Sequence, residues 1–435
     1  MSDAFTQLAG ALRYQIVHGL GFRSLRPVQA LSIPPLLAGH NAVILAPTAG
    51  GKTEAAFFPL LSMMVDEHWT PVSVLYISPI RALLNNQAHR LERLAQLLGR
   101  RAAVWHGDVT TSQRKAILRE PPDILLTTPE SLEVMLMSAK VPARRLFEGL
   151  RAVVIDEVHA FVGDDRGGHL GAVLERLSRY CGRDVQRIGL SATVGNPHVI
   201  VDWLAGSSKR EGVLINPPKP SVTPQLAIDY VATLDNAASV ISRLHRGRKR
   251  LVFCDSRAKV EQIGEQLRQR EVRTFLLHSA LSKEVRQDAE RAFEAEKDCV
   301  IVATSTLELG IDIGDLDNVL QIDAPSTVAS FVQRMGRTGR RSGTVPNCTF
   351  LCTDDASLAQ ATALVRLYKR GWVEPVRPVR RAFHLAAHQL MALAIQEQGV
   401  PASDWWGWVQ ATAALCDITP IERTTLVQYM LSTDV

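Results

Sequence analysis

The sequence predicts an α/β chain of two parallel-sheet domains in series, followed by a mostly helical region. Three observations predict it. Short apolar runs alternate with amphipathic helical stretches, the pattern left by βαβ units that feed a parallel sheet. A Pro-rich stretch, "INPPKPSVTPQLAIDY", interrupts the alternation, which then restarts. Beyond residue 355 the apolar runs stop and helical periodicity alone remains.

In the first domain, expected over residues 1–210, "NAVILAP", "SVLYISP", "DILLTTP", "AVVIDE" and "RIGLSAT" read as strands, most of them running into a Pro, Thr or Asp loop. The Pro-rich stretch is a poor helix and reads as an extended connector. The second domain, residues 211–355, offers "RLVFCDS", "VRTFLLHS", "CVIVATS" and "NVLQIDA". In residues 356–435, "DASLAQATALVRLYKRG" and "FHLAAHQLMALAIQEQG" are helical by period, with Gly371 and Gly399 as stop signals. A length of 435 residues is too great for one core, in keeping with several domains.

Lys and Arg number 49 against 44 for Asp and Glu, a net charge of +5. That permits a nucleic-acid partner without demonstrating one. No apolar run of about 18 residues is present, so no membrane partner is expected, and "MSDAFTQLAG" does not read as a secretory signal. Six scattered cysteines fit reduced thiols and a cytoplasmic location. Cys348 and Cys352 have a ligand-like spacing, but "CTFLC" reads as a strand and no second pair accompanies it.

Chemistry begins at "APTAGGKTEAAFF", residues 46–58, which follows the first strand and opens a helix. Thr48, Gly50 and Gly51 form a loop whose backbone amides and helix N-terminus suit a polyphosphate. Lys52 reaches β- and γ-phosphates in such a loop, and the Thr53 hydroxyl binds Mg²⁺. Ala46 stands where the general phosphate-loop pattern has Gly. Upstream, Phe22 is a candidate to stack on a base, and the Gln29 amide matches the donor and acceptor of an adenine edge. A Mg²⁺ on Thr53 calls for a carboxylate at a neighbouring strand end. Asp156, after "AVVI", supplies it. Glu157, the next residue, orients and deprotonates the attacking water.

With "DEVH" and "APTAGGKT" in place, further short motifs fall in order: "SPIRALLNNQ", "TTPESL", "SAT", "FCDSR", "ATSTLELGIDIGDLD" and "QRMGRTGR". Together they resemble the superfamily-2 helicases over nearly the whole chain. Val158 and His159 depart from the Asp-Glu-Ala-Asp signature of DEAD-box RNA helicases. "DEVHAFVGDDRGGHLGAVLERL", "WHGDVTTSQR" and "APSTVASFVQRMGRTGRR" are similar to the large helicase-related (Lhr) family. The resemblance implies two RecA-like domains and a winged helix, begun by "EPVRPVRRAFHLAAHQLMALAIQEQG" and "WWGWV". It also implies 3′–5′ translocation on single-stranded nucleic acid driven by ATP and Mg²⁺, with unwinding of DNA or DNA–RNA hybrid. Members of that family continue with further domains, so the chain resembles an Lhr core cut short after the start of the winged helix.

By the same resemblance, Arg337 and Arg340 neutralise the γ-phosphate in the transition state, and Gln333 orders water or phosphate; Arg334 and Arg341 read as solvated or nucleic-acid-facing residues. Ser191 and Thr193 relay between the nucleotide and the strand. Gly310 belongs to a motif that touches both ATP and strand; Asp312 either does so or caps its turn. Pro79, Arg81, Thr128, Pro129, Ser256, Arg257 and Thr304 occupy motifs that touch the sugar–phosphate backbone. Such contacts carry no sequence information and are salt-sensitive. Trp105, Trp405, Trp406 and Trp408 read first as packing, and His106 and His278 as backbone-positioning residues. Single-stranded DNA is the favoured partner, in DNA repair or genome maintenance. An RNA remodeller and an ATP-switched binding module, such as an anti-phage defence component, stay open as alternatives.

Overall fold

The computed structural model describes residues 3–47, 50–218, 222–278, 295–304, 316–341 and 343–433. Two units emerge. The first consists mainly of Gly50–Pro217, the N-terminal segment before it and Pro375–Val435; the second is mainly Pro218–Glu374.

Seven strands form the first unit's sheet: β1 (Asn41–Leu45), β2 (Val74–Ile77), β3 (Ala102–Trp105), β4 (Ile124–Thr127), β5 (Ala152–Ile155), β6 (Gln186–Ser191) and β7 (Gly212–Ile215). Their order is β3-β4-β2-β5-β6-β1-β7, and every pairing is parallel. The central strands are buried throughout, because helices cover both faces of a parallel sheet. Five helices position the site: α1 (Pro27–Leu37), α2 (Lys52–Asp66), α3 (Arg81–Gln96), α4 (Pro129–Met137) and α5 (Asp165–Cys181). α2 follows β1 and is buried from Lys52 through Met64; Phe57, Phe58, Leu60, Leu61 and Met64 are fully buried.

The second unit has a six-stranded parallel sheet. Its strands are β8 (Gln225–Tyr230), β9 (Lys249–Phe253), β10 (Thr274–Leu277), β11 (Cys299–Ala303), β12 (Asn318–Ile322) and β13 (Asn347–Cys352). The order is β10-β11-β9-β12-β13-β8. α6 (Arg257–Gln269), α7 (Val328–Met335) and α8 (Asp355–Lys369) begin on the capping hydroxyls of Ser256 and Thr327 and on the Asp354 carboxylate. Cys348 and Cys352 lie buried in β13, as the strand reading of "CTFLC" expects.

Two features of the organisation differ from the sequence reading. β7 is hydrogen-bonded to β1, so the first unit extends through Pro217 instead of ending at residue 210. Within the Pro-rich connector, "QLAIDY" forms the edge strand β8. The segment from Pro375 onward clusters with the first unit, while α8 clusters with the second. Helices α9 (Phe383–Gln396) and α10 (Pro420–Ser432) flank a short 3₁₀ turn, Trp405–Trp408. No strand occurs among the described residues of this C-terminal segment, so it is helical without a visible wing.

Its core of Leu385, Ala386, Leu393, Trp405, Trp406 and Leu415 closes on Ala172 of α5. Gly168 on α5 makes the approach possible: a Cβ there would lie 2.5 Å from Leu385 and 2.8 Å from Ala414. Polar groups complete the seam. Arg176 of α5 is fully buried and donates to Glu133 of α4 at 2.6 Å, to Gln389 of α9 at 2.9 Å and to Gln396 of α9 at 2.6 Å.

Candidate nucleotide and nucleic-acid sites

In a parallel sheet, functional loops collect at the carboxyl ends of the strands, where each strand must leave the sheet for a helix. The order β1-β6-β5-β2-β4 therefore decides which motifs of the first unit are neighbours. The Gly50–Gly51–Lys52 loop follows β1, Ser191 ends β6, and Asp156 follows β5. Pro79 and Arg81 follow β2, and Thr128 and Pro129 follow β4. At about 4.8 Å per strand, the nucleotide motifs and the proposed strand contacts share one rim about 19 Å long.

Gly51 caps α2 with φ 90°, a conformation a side chain would strain, and a Cβ there would lie 2.8 Å from Gln29 Nε2. Gln29 is thus held against the phosphate loop; it is buried, and its Oε1 accepts from the Arg26 amide at 2.9 Å. Phe22 is half-buried and meets Phe58 edge-on at 5.8 Å, packed against the core rather than standing alone. Lys52 and Thr53 are buried at the start of α2. Lys52 Nζ has no hydrogen-bond partner among the described residues. A buried ammonium in that state is costly unless an anion completes it, which fits a polyphosphate. The Thr53 hydroxyl lies 3.5 Å from Gln87 Oε1, at the end of "SPIRALLNNQ". Thr48 lies outside the described residues.

Asp156 and Glu157 are both buried. Asp156 Oδ2 accepts from the Tyr76 phenol at 2.5 Å, and its Oδ1 accepts from the Glu157 amide at 3.0 Å. Burial first, and the neighbouring Glu157 charge second, push the Asp156 carboxyl up to about 6 against the pull of Lys52 and the Tyr76 hydrogen bond. Two close carboxylates in such a place form a hard oxygen site with a charge to neutralise, which fits Mg²⁺ beside the Thr53 hydroxyl. Glu157 has φ 47°, a left-handed conformation uncommon for its type and one that collects at functional sites.

His159 Nδ1 stands 3.6 Å from Glu157 Oε2 and 3.2 Å from Ser191 Oγ. Burial, helped by the Lys52 charge and opposed by that of Glu157, holds the ring below its usual pKa. Ser191 is therefore joined to the carboxylate pair through His159, while Thr193 sits half-buried just beyond it. Tyr76 and His159 were missed by sequence reasoning. The signal for His159 was available, since it is the last residue of "DEVH"; Tyr76 sits inside a strand that reads only as apolar.

The proposed strand contacts vary in freedom. Arg81 is exposed and pairs with exposed Asp108 at 2.7 Å, a contact worth little and readily exchanged for a phosphate. The Pro79 carbonyl accepts from Arg166 at 2.8 Å. Thr128 is buried, and its hydroxyl accepts from the Ser131 amide to cap α4, with Pro129 at the first helical position; the side chain is used structurally. Trp105 is buried in the core, with Arg114 5.8 Å above its ring. Of the C-terminal tryptophans, Trp405 and Trp406 are buried. His106 and His278 are buried and bond Asn85 at 3.1 Å and Glu261 at 2.7 Å.

In the second unit, Ser256 and Arg257 follow β9 and are exposed, and half-buried Thr304 follows the adjacent β11. Gln333 lies on α7, Arg337 just past its end and buried, and Arg340 half-buried beyond. Arg334 corrects an expectation. It is buried, donates to Gln321 at 2.5 Å and lies 5.0 Å over the Phe253 ring, so it is neither solvated nor available to a strand. Arg341 remains partly exposed and pairs with Asp317 at 3.1 Å. Gly310 and Asp312 lie outside the described residues.

Comparison with known proteins agrees with this arrangement. Residues 26–200 match the DEAD/DEAH box helicase family and residues 232–342 the helicase conserved C-terminal domain. A Mycolicibacterium smegmatis protein named Lhr helicase/probable uracil glycosylase is 30% identical, over 90% of this chain and 30% of its own length. The ATP-dependent helicase Lhr-Core of Methanothermobacter thermautotrophicus is 29% identical, over 86% of this chain and 47% of its own. The structure of Mycobacterium smegmatis helicase Lhr bound to single-stranded DNA and AMP-PNP superposes with a TM-score of 0.86 at 30% identity, covering 99% of this chain and 58% of that one. The chain thus spans about a third to a half of the length of these curated relatives. Both helicase domains, their motifs in order and the strand-end geometry agree: this chain belongs to the superfamily-2 helicases of the Lhr type.

Proposed function

We propose that this chain is a Mg²⁺-dependent, nucleic-acid-stimulated ATPase that moves 3′ to 5′ along single-stranded DNA, acting in the cytoplasm in DNA repair or genome maintenance. One observation carries the reading: buried Lys52, Thr53, Asp156 and Glu157 converge at the ends of nearby strands, with Lys52 Nζ lacking a partner among the described residues. Lys52 binds the β- and γ-phosphates, and Gln29, held beside Gly51, reads the adenine edge. Mg²⁺, when bound by Thr53 and Asp156, neutralises phosphate charge. Tyr76 holds Asp156 Oδ2 and the Glu157 amide holds Oδ1, which fixes the carboxylate while each oxygen keeps a second lone pair for the site. Glu157 takes the proton of the attacking water. His159 couples that carboxylate to Ser191, at the end of the strand between the two nucleotide loops.

Arg337 and Arg340 supply charge to the transition state, worth about 10³ to 10⁵ in rate for an arginine finger. Arg81, Ser256, Arg257 and Thr304 hold the sugar–phosphate backbone by contacts blind to sequence. The reading is tested with single-stranded DNA that carries streptavidin on one end. Movement 3′ to 5′ predicts ATP-dependent displacement from the 5′ end. Displacement from the 3′ end would reverse the polarity, and displacement from neither would leave an ATP-switched binding module.

A further inference from the structure

Away from the nucleotide loops, the described residues bring three metal-ligating side chains to one point, where α9 docks on α4 and α5. Glu133 comes from α4, His169 from α5 and His388 from α9, and one ligand atom of each lies within 4.8 Å of the other two. They are distant in the chain, so no local preference of the backbone brings them together.

The helix pattern extends the cluster. Asp165 and His169 are four residues apart on α5, and His384 and His388 are four apart on α9, so each pair shares a helix face. The pairs face each other as two rungs. In the outer rung His384 Nε2 meets Asp165 Oδ2 at 3.0 Å; in the inner rung the His169 and His388 rings are 5.7 Å apart, centre to centre. Two histidines at this helical spacing are a common way to present nitrogen ligands.

Glu133 is aimed by its neighbours. Its Oε1 accepts from Arg176 Nη1 at 2.6 Å and from Gln389 Nε2 at 2.9 Å, which leaves Oε2 against His169 Nε2. Outer groups of this kind fix the orientation of a ligating carboxylate. Arg176 also lowers the affinity, since its charge sits on the same carboxylate. Glu133 is buried, His169 half-buried and His388 exposed, so the cluster opens toward solvent on the α9 side. Two imidazoles and one carboxylate suit a zinc-class ion, whereas Mg²⁺ and Ca²⁺ prefer oxygen alone.

We propose that Glu133, His169 and His388 bind one divalent transition-metal ion of the zinc class, with water in the remaining position. The ion ties the C-terminal helix α9 to α4 and α5.

The test is a Co²⁺ titration of the chelator-treated full chain followed by visible absorption, then competition with Zn²⁺ and with excess Mg²⁺. One equivalent of Co²⁺ should bind in a low-symmetry, strongly absorbing site, and Zn²⁺ but not Mg²⁺ should displace it. His388→Ala changes an exposed residue and should keep the fold, checked by circular dichroism, while weakening Co²⁺ binding at least about tenfold. That is no less than the roughly 10–100-fold typical of losing an outer partner. Glu133→Gln and His169→Ala should weaken binding likewise, and His384→Ala should not. Absence of the absorption, or unchanged binding in His388→Ala, would overturn the proposal. So would loss in His384→Ala and His388→Ala with full binding in His169→Ala, since the ion would then sit on a surface histidine pair.

Discussion

Asp156→Asn should make the metal-free protein more stable while abolishing its catalysis. The Asp156 carboxyl is buried beside Glu157 and stands at about 6 in the fold against an ordinary 3.8. A raised carboxylate binds its proton more tightly in the folded state than in the unfolded one, so stability falls as pH rises from about 3.8 to 6. Above that window the ionised group costs the fold its full amount; below it both states are protonated and the cost vanishes. At about 1.36 kcal/mol per pH unit, the difference amounts to ~3 kcal/mol. The amide keeps an acceptor for the Glu157 N–H but leaves the Tyr76 hydroxyl hydrogen without one, an offset of about 1 kcal/mol. A gain of about 2 kcal/mol at pH 8 follows, shrinking toward zero near pH 5 as the advantage over a partly protonated carboxyl halves.

Urea unfolding in EDTA reads this through tryptophan fluorescence, which reports chiefly the first unit, because only Trp372 of the seven tryptophans lies in the second. Mg²⁺ with ATP should then stabilise the wild type and not the variant. A variant less stable than wild type at pH 8, or a gain that does not change with pH, would refute the reasoning.

Glu157→Gln should retain nucleotide binding and lose turnover by about 10² to 10⁴, the range for a missing general base; unchanged ATPase would remove Glu157 from that role. Arg337→Ala should lose hydrolysis with ATP affinity largely kept, because its charge acts in the transition state, and fluorescent-nucleotide binding beside turnover separates the two. Arg176→Met should destabilise the first unit by about 3–5 kcal/mol in urea unfolding, since it strands the buried Glu133 carboxylate and the Gln389 and Gln396 acceptors. Burial opposes ionisation of that carboxylate, but His169, Arg176 and Gln389 together hold it down to about 2, so the seam stays ionised through the neutral range and loosens only in strong acid.

What was legible in the sequence follows from where each residue's information lies. β1, β2, β4, β5 and β6 are buried on both faces and read as continuous apolar runs. β3, β7 and β8 stand at sheet edges with mixed exposure; β3 and β7 are only four residues long, and the polar residues of β8 continue a Pro-rich stretch. Lys52, Thr53, Asp156 and Glu157 were visible because short-range spacing carries their chemistry. Tyr76 reaches Asp156 from a different strand, and the Arg176–Glu133–Gln389 network joins three helices; neither has a local signature. Arg334 misled for a related reason. A charged residue in a basic motif reads as exposed until a buried Gln321 and the Phe253 face are seen to receive it.

The central claim is most directly tested by steady-state ATPase with Mg²⁺, measured alone and with single-stranded DNA, duplex DNA, single-stranded RNA and DNA–RNA hybrid. Single-stranded DNA should give strong stimulation that Glu157→Gln abolishes and that falls with rising salt. Hydrolysis stimulated by RNA alone, or by none of the four in a folded chain that binds ATP, would contradict the account.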